Sequence, residues 1–407
     1  MHVRVRPVFP FSAAAIALLA ACSGGASTTP APGVPLATQA QARARAQARA
    51  LSPMTHLLPA LLARALTGEG QVARTGSWAV PDAAKKQHVY VSDPSLDGYY
   101  GAVCYYAGDG GAQLGCLAGG ASSSSGIGFP EGSWVDRKHH LWVANGIAPG
   151  GYTGLITEYA LPLGPASVPI NSLYSTVGNP SEGAFADYVC GDRAGNVYGT
   201  SIYTATTAVW RAGTQNATQT STLVDPNFAS AGSPSLADGL VACATDAAGD
   251  LFVSGQYAVG SYGNYNYFAE LDEFVGGAAG SGTPIVLQKE TSDLYFPAGV
   301  AIDKQGNLAW ALFDLSDSGS SVCTFAPPYT GSPTACTTGF ATGFHFAESG
   351  KKLWGGNTTV YPWYHEPQAT VADEIAYPGG GLLRSTSGAG LLTPVDASVN
   401  PALEPPR

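Results

Sequence analysis

One five-residue phrase recurs along this chain and limits what it can fold into. Asp192-Arg193-Ala194-Gly195-Asn196, Asp246-Ala247-Ala248-Gly249-Asp250 and Asp303-Lys304-Gln305-Gly306-Asn307 each precede an apolar or aromatic run. Asp136-Arg137-Lys138-His139-His140, before Leu141-Trp142-Val143, is a variant, and Glu348-Ser349-Gly350-Lys351-Lys352, before Leu353-Trp354, a degenerate copy. An acid opening a turn accepts bonds from backbone N–H groups two to four residues on, and Gly or Asn tolerates the left-handed conformation that closes it. Apolar stretches on both sides make each copy a hairpin. The turn acids stand at 136, 192, 246, 303 and 348, at intervals of 56, 54, 57 and 45 residues. Gln87–Asp93 reads as the second strand of an earlier copy whose first strand lies near Ser77–Val80, which makes six units.

Stacked units of this period predict an all-β, six-bladed β-propeller, with seven blades as the alternative count. Most of the intervals exceed the ~40–50 residues of common blades, so the excess belongs in loops. A parallel β-helix has shorter coils, and a sandwich has no need of six similar hairpins. With 52 Gly, 20 Tyr and only 12% charged residues, the composition fits short strands joined by turns. In sequence order the blades are expected around 77–128, 129–163, 181–213, 239–275, from Phe296 and from Gly343. Thr370–Tyr377 reads as an outer strand, and the chain from Gly381 as the return that completes the first blade.

The P-x-G-hydrophobic-Asp-x-x-Gly-Asn-aromatic pattern, cleanest from Pro297 to Trp310, resembles NHL-type and SMP-30 (gluconolactonase-like) propeller blades over most of residues 76–390. Glu131-Gly132-Ser133-Trp134 is similar to the Glu-Gly-Pro-x-Trp start of the SMP-30-like lactonases. There the resemblance implies that the Glu binds a catalytic divalent metal. Here Ser133 replaces the Pro, and the Asn ligands and catalytic Asp of that family have no counterpart matched by motif.

Ahead of the repeats, residues 1–21 read as an export signal, with Arg4 and Arg6 before the short apolar run from Val8 to Ala20. Leu19-Ala20-Ala21-Cys22 resembles a bacterial lipobox, which implies lipidation of Cys22 and a membrane-anchored lipoprotein on the periplasmic or cell-surface side. Ser23 in second place is similar to outer-membrane sorting signals of Gram-negative cells. Residues 22–75 form an Ala-, Arg- and Pro-rich tether with short helical stretches, one bearing a Leu57, Leu58, Leu61, Leu62, Leu66 stripe. The propeller is expected over 76–399 and a Pro-rich tail over 400–407.

Charge separates these regions. Residues 1–75 hold seven Arg and one acid, leaving 19 − 7 = 12 basic and 29 − 1 = 28 acidic residues beyond, a balance of −16. A domain so acidic, without a basic stripe, argues against a nucleic-acid partner. It is expected to be a monomer.

Six cysteines remain after Cys22, an even number in an exported chain, so disulfides are expected. Proximity favours Cys104–Cys116 and Cys323–Cys336, each stapling a loop, and leaves Cys190 with Cys243 just before equivalent turns. No cysteine spacing matches zinc or iron–sulfur ligation.

Two sets of site candidates follow. Glu131, Glu182 and Asp238 precede the recurring Gly of three blades, where inner-strand starts converge, and together would attract a cation, best calcium. The bland alternative is ordinary rim acids. The aromatics Tyr262, Tyr265, Tyr267, Trp363 and Tyr364 are placed in or beside loops and suit recognition of a carbohydrate or an envelope protein, or equally pack loops onto the ring. His139-His140 and His345 read as turn, rim or core-edge residues, and no Ser/His/Asp set assembles by spacing. The primary expectation is a binding or scaffolding lipoprotein at the cell envelope. The alternative is a calcium-dependent SMP-30-like hydrolase or lactonase.

Overall fold

A computed structural model describes residues 77–400, except 86, 95, 97–99, 109–110, 121–122, 148–151, 153, 178–187, 202–203, 229–238, 262–263, 291–294, 315–319, 339–342, 347–350, 359–369, 380–381, 387–390 and 392–395. The leader, Cys22, the tether and residues 401–407 lie outside the described residues.

Strands β1 (Trp78–Ala79), β2 (Gln87–Asp93), β3 (Ala102–Ala107) and β4 (Gln113–Ala118) open the domain. Blade 2 comprises β5 (Pro130–Val135), β6 (His140–Asn145), β7 (Gly154–Ala160) and β8 (Asn171–Ser175). Blade 3 comprises β9 (Tyr188–Gly191), β10 (Val197–Thr200), β11 (Thr206–Trp210) and β12 (Ser221–Val224). Blade 4 follows with β13 (Gly239–Thr245), β14 (Leu251–Ser261), β15 (Asn264–Phe274) and β16 (Pro284–Lys289). Blade 5 is β17 (Tyr295–Ile302), β18 (Leu308–Asp314), β19 (Ser320–Phe325) and β20 (Ala335–Thr338). Blade 6 is β21 (Phe344–Phe346), β22 (Lys352–Thr358), β23 (Thr370–Ala376) and β24 (Leu382–Ser385), after which β25 (Asp396–Val399) returns to blade 1. Blades 2 to 6 are four-stranded antiparallel meanders, blade 1 is a five-stranded antiparallel sheet, and the protein is a six-bladed β-propeller.

Blade 1 has the order β1-β4-β3-β2-β25, so the last strand of the chain is its innermost one. Val89 pairs with Val399 and Ser92 with Asp396. The first strand differs from its sequence assignment: Trp78–Ala79 pairs with β4 on the outer edge and does not precede β2 on the inside. Closing the ring needs an inner strand from the far end of the chain to cover the open edge of β2, which leaves the N-terminal strand the outside position.

The repeated turn folds as its residues dictate. Asp192, Asp246 and Asp303 accept backbone N–H bonds through Oδ1, including those from Asn196, Asp250 and Asn307 at 2.9, 2.9 and 2.7 Å. Gly195, Gly249 and Gly306 take the left-handed seat with φ of 89°, 91° and 81°. In blade 2 His139 occupies that seat at φ 61°, a conformation that costs an L-residue about 1 kcal/mol. Its ring is tied to Asn400 by a 2.7 Å bond. Six residues after the turn acids, Trp142, Tyr198, Phe252 and Trp354 project into the contacts between blades, where they are buried. Trp142, Ala144, Ile156 and Leu173 of blade 2, for example, pack on Val189, Val197, Ala208 and Trp210 of blade 3. Each fully buried aliphatic side chain is worth about 1.5–3 kcal/mol, so each seam contributes to the stability of the ring.

The six cysteines of the domain form three disulfides, Cys104–Cys116, Cys190–Cys243 and Cys323–Cys336. The first and third link directly opposed residues on paired strands of one blade and do not staple loops. Paired strands bring opposed Cα atoms to 4.0 and 4.1 Å, close enough for the bond to form within the ladder. Cys190–Cys243 joins the innermost strands of blades 3 and 4, at Cα 5.9 Å.

The aromatic stretch of blade 4 also departs from its sequence assignment. Tyr257, Tyr265, Tyr267 and Phe268 lie on β14 and β15, whose ladder runs unbroken from Leu251–Phe274 to Ser261–Asn264. High strand propensity of Tyr, Phe and Val extends the hairpin through the region taken for loop.

Candidate functional site at the ring axis

The innermost strands β25, β5, β9, β13, β17 and β21 pack against one another in that order around the axis. Four of them send polar side chains to one point. Asp396, the first residue of β25, is 0% exposed, and its Oδ2 accepts bonds from the Ser133 backbone N–H at 2.7 Å and from Ser133 Oγ at 2.8 Å. Ser133 Oγ also lies 3.0 Å from Ser398 Oγ. Tyr188, the first residue of β9, donates its hydroxyl to Asp396 Oδ1 at 3.3 Å. His345 on β21 places Nε2 3.5 Å from Asp396 Oδ2 and 2.9 Å from the Tyr188 hydroxyl. Their rings stack at 5.9 Å and 8°.

Blades 3 and 6 are opposite in a ring of six, so a bond between Tyr188 and His345 crosses the axis. The axis is therefore filled by side chains at this level. Burial first, and then the Asp396 carboxylate, raises the Tyr188 phenol well above its ordinary value, which keeps it an O–H donor. Gly343 admits the cluster: a Cβ there would stand 2.4 Å from Asp396 Oδ1 and 2.8 Å from the Tyr188 ring. Chemically the group is a buried carboxyl that accepts three hydrogen bonds from two inner strands, with the His345 imidazole 3.5 Å away, the arrangement that makes a buried polar group tolerable. Ser133 donates to the carboxylate and does not face His345, so the three residue types of a hydrolytic triad meet without a triad's geometry.

A second buried polar group lies between blades 3 and 4. Asp225, just after β12, meets Glu270 and Asp272 of β15, and all three are 0% exposed. Asn227 Nδ2 donates to Asp272 Oδ2 at 2.6 Å, and Asp225 Oδ1 accepts the Asn227 backbone N–H at 3.0 Å. Lys289 pairs with Glu270 and lies 3.8 Å from the Tyr257 ring centroid. Three carboxyls thus share one ammonium. Asp225 Oδ2, Asp272 Oδ1 and Glu270 Oε1 are buried and, among the described residues, accept no hydrogen bond from an N–H or hydroxyl group. Burial, followed by the charges of Asp225 and Glu270, pushes Asp272 up to about 9. Burial also raises Asp225 and Glu270. At neutral pH Asp272 holds a proton that it can donate to either neighbour.

The residues singled out by sequence fall as follows. Glu131 is half-buried at the start of β5, two residues before Ser133. Glu182, Asp238, Tyr262, Trp363 and Tyr364 lie outside the described residues. Tyr265 and Tyr267 are placed by their backbone opposite Gly260 and Ala258. Of the axis group, the sequence alone marks Ser133 only as the residue in place of a Pro and His345 only as a rim or core-edge residue, and it does not single out Tyr188 or Asp396. One signal was available: Ser133 and His345 both stand three residues before their turn acids.

No protein-family model matches the chain, and no curated protein does. Among solved structures it is similar to a protein described as a candidate 6-phosphogluconolactonase from Bacteroides uniformis ATCC 8492, at 12% identity over 77% of this chain and 99% of that one, with a TM-score of 0.48. A second such protein, from Bacteroides fragilis NCTC 9343, gives 9% identity over 79% and 99%, with a TM-score of 0.49. A luciferin-regenerating enzyme gives 12% over 63% and 75%, with a TM-score of 0.39. Likenesses at this level carry nothing about activity.

Proposed function

We propose that this protein is an exported, membrane-anchored lipoprotein whose propeller serves as a binding or scaffolding module at the cell envelope. The observation that supports it most is the filled axis. Ser133, Tyr188 and Asp396 are 0%, 4% and 0% exposed, and they are bonded to one another and to His345. Hydrolysis needs a nucleophile or base that substrate can reach. The same groups tie blades 1, 2, 3 and 6 together at the axis, which suits a platform whose loops do the recognising. Three disulfides and the Cys22 lipobox support the exported location. Ligands of the carbohydrate or envelope-protein class fit the aromatic residues around Tyr262, Tyr265, Tyr267, Trp363 and Tyr364.

A calcium-dependent hydrolase or lactonase is the second reading, favoured by Glu131 standing on the same inner strand as Ser133. Two assays on the full chain separate them. A lactone and phosphoester panel, with and without calcium, should give no turnover, and wild type should pellet with membranes while Cys22→Ser stays in the soluble exported fraction. Calcium-dependent turnover lost in Glu131→Ala would replace the first reading with the second. Wild type in the soluble fraction would remove the anchor.

A further inference from the structure

The turn of blade 2 differs from its equivalents in a way that creates a site. The fifth residue of the turn is Asn196 in blade 3 and Asn307 in blade 5, and each donates its side-chain amide to Oδ2 of its turn acid, at 2.7 and 2.8 Å. In blade 2 that residue is His140. An imidazole nitrogen replaces the amide, and Asp136 Oδ2 instead accepts from Trp142 Nε1 at 3.1 Å while standing 3.8 Å from His140 Nδ1. On β7, Glu158 lies directly across from Trp142 and brings Oε1 to 2.6 Å from the same nitrogen.

Blade 6 shows what this seat accepts. There the fifth residue is Lys352, and the cross-strand position opposite Trp354 is Glu374. Lys352 Nζ lies 3.2 Å from Glu374 Oε1, so a cationic side chain built into the strand sits where blade 2 has its imidazole. Blade 2 keeps the carboxylate opposite the aromatic, brings the turn acid Asp136 beside it and supplies an imidazole nitrogen in place of the ammonium.

We propose that Asp136, His140 and Glu158 form a binding site for a zinc-class divalent cation on the turn rim of blade 2. One donor atom from each lies within 4.8 Å of the others. Tetrahedral zinc with bonds near 2.0–2.1 Å spaces its ligands about 3.3 Å apart. Glu158 Oε1 must therefore open away from His140 by roughly 0.7 Å, within the reach of a side-chain rotation, while Asp136 Oδ2 closes by about half an ångström. Two features are already those of a held ligand set. Asp136 is fixed by the backbone N–H groups of Lys138 and His140, which bond its Oδ1 at 2.8 and 2.9 Å. His140 is 26% and Glu158 13% exposed, so one side is open for entry and for a water as fourth ligand. One nitrogen and two oxygens favour zinc or a neighbouring transition metal over calcium, which prefers oxygen alone.

The test uses the full chain freed of metal by chelator dialysis, with zinc chloride titrated by calorimetry and the melting temperature followed in parallel. Wild type should bind one zinc saturably and melt higher as zinc is added. His140→Asn, which restores the residue of blades 3 and 5, should fold normally and lose both effects, and Glu158→Gln should weaken binding at least about tenfold. His139→Ala, which keeps all three donors, should bind as wild type does. Cobalt in place of zinc should give the visible absorption of a tetrahedral ion in wild type and not in His140→Asn. Absence of saturable binding would overturn the proposal, as would binding and stabilisation left unchanged by His140→Asn.

Discussion

Asp396 at the axis and Asp272 between blades 3 and 4 are equally buried, each 0% exposed, and the fold treats them in opposite ways. Asp396 receives an N–H and an O–H from Ser133, an O–H from Tyr188 and a close imidazole from His345. Asp272 receives one amide from Asn227 and faces two further carboxyls. One is a carboxyl surrounded by donors; the other is kept in place by retaining a proton. Depth of burial alone therefore does not tell how a carboxyl is accommodated. The donors that neighbouring strands bring to it decide.

The largest test of this contrast is Asp396→Ala. It strips the acceptor from Ser133 and Tyr188, removes the carboxyl beside His345 and loosens the strand that closes the ring, so urea unfolding should show a loss of about 3 kcal/mol or more. If Asp272→Ala cost as much, the distinction between the two sites would fail. Next comes the seam that connects them, since Cys190 is two residues from Tyr188 and its partner Cys243 lies on β13, the innermost strand of blade 4. The double variant Cys190→Ser, Cys243→Ser should lower stability by about 2–4 kcal/mol. Loss of Cys104–Cys116 should cost less on chain-entropy grounds, because the closed segments span 53 and 12 residues.

Smaller again is Tyr188→Phe, which removes one hydroxyl from the axis and should cost about 1–2 kcal/mol in the same assay. Asp272→Asn should have the smallest effect on stability at low pH but should change its pH dependence. An acid whose folded pKa exceeds its unfolded value stabilises the fold fully below the unfolded pKa and loses that contribution as pH rises. For Asp272 the window runs from 3.8 to about 9, and the raised Asp225 and Glu270 act in the same direction. Wild type should therefore show a higher urea midpoint at pH 5 than at pH 8, and Asp272→Asn should narrow the gap. An unchanged gap would mean that Asp272 is not the group holding the proton.

The turn acids were legible because their chemistry is local: Asp303, Gly306 and Asn307 make the turn with bonds that span four residues. The ring closure was legible as a need, since six hairpins in a ring require the last strand to return. The axis cluster was not. Ser133 and Asp396 are separated by 263 residues, and no rule of spacing connects them before the ring brings β25 beside β5. The metal-capable group of blade 2 fell between these cases. His140 and Asp136 are four residues apart, but Glu158 joins them only through the register of β6 and β7.

By itself, then, the sequence determined the blade, its turn and the number of repeats, because backbone hydrogen bonding within a hairpin depends on residues a few places apart. The tertiary structure alone decided which strand is inside and which outside in blade 1, which donors each buried carboxyl meets, and which side chains meet at the axis. Those outcomes depend on what stands opposite each group once six sheets close on themselves, and that is a property of the ring rather than of any one blade.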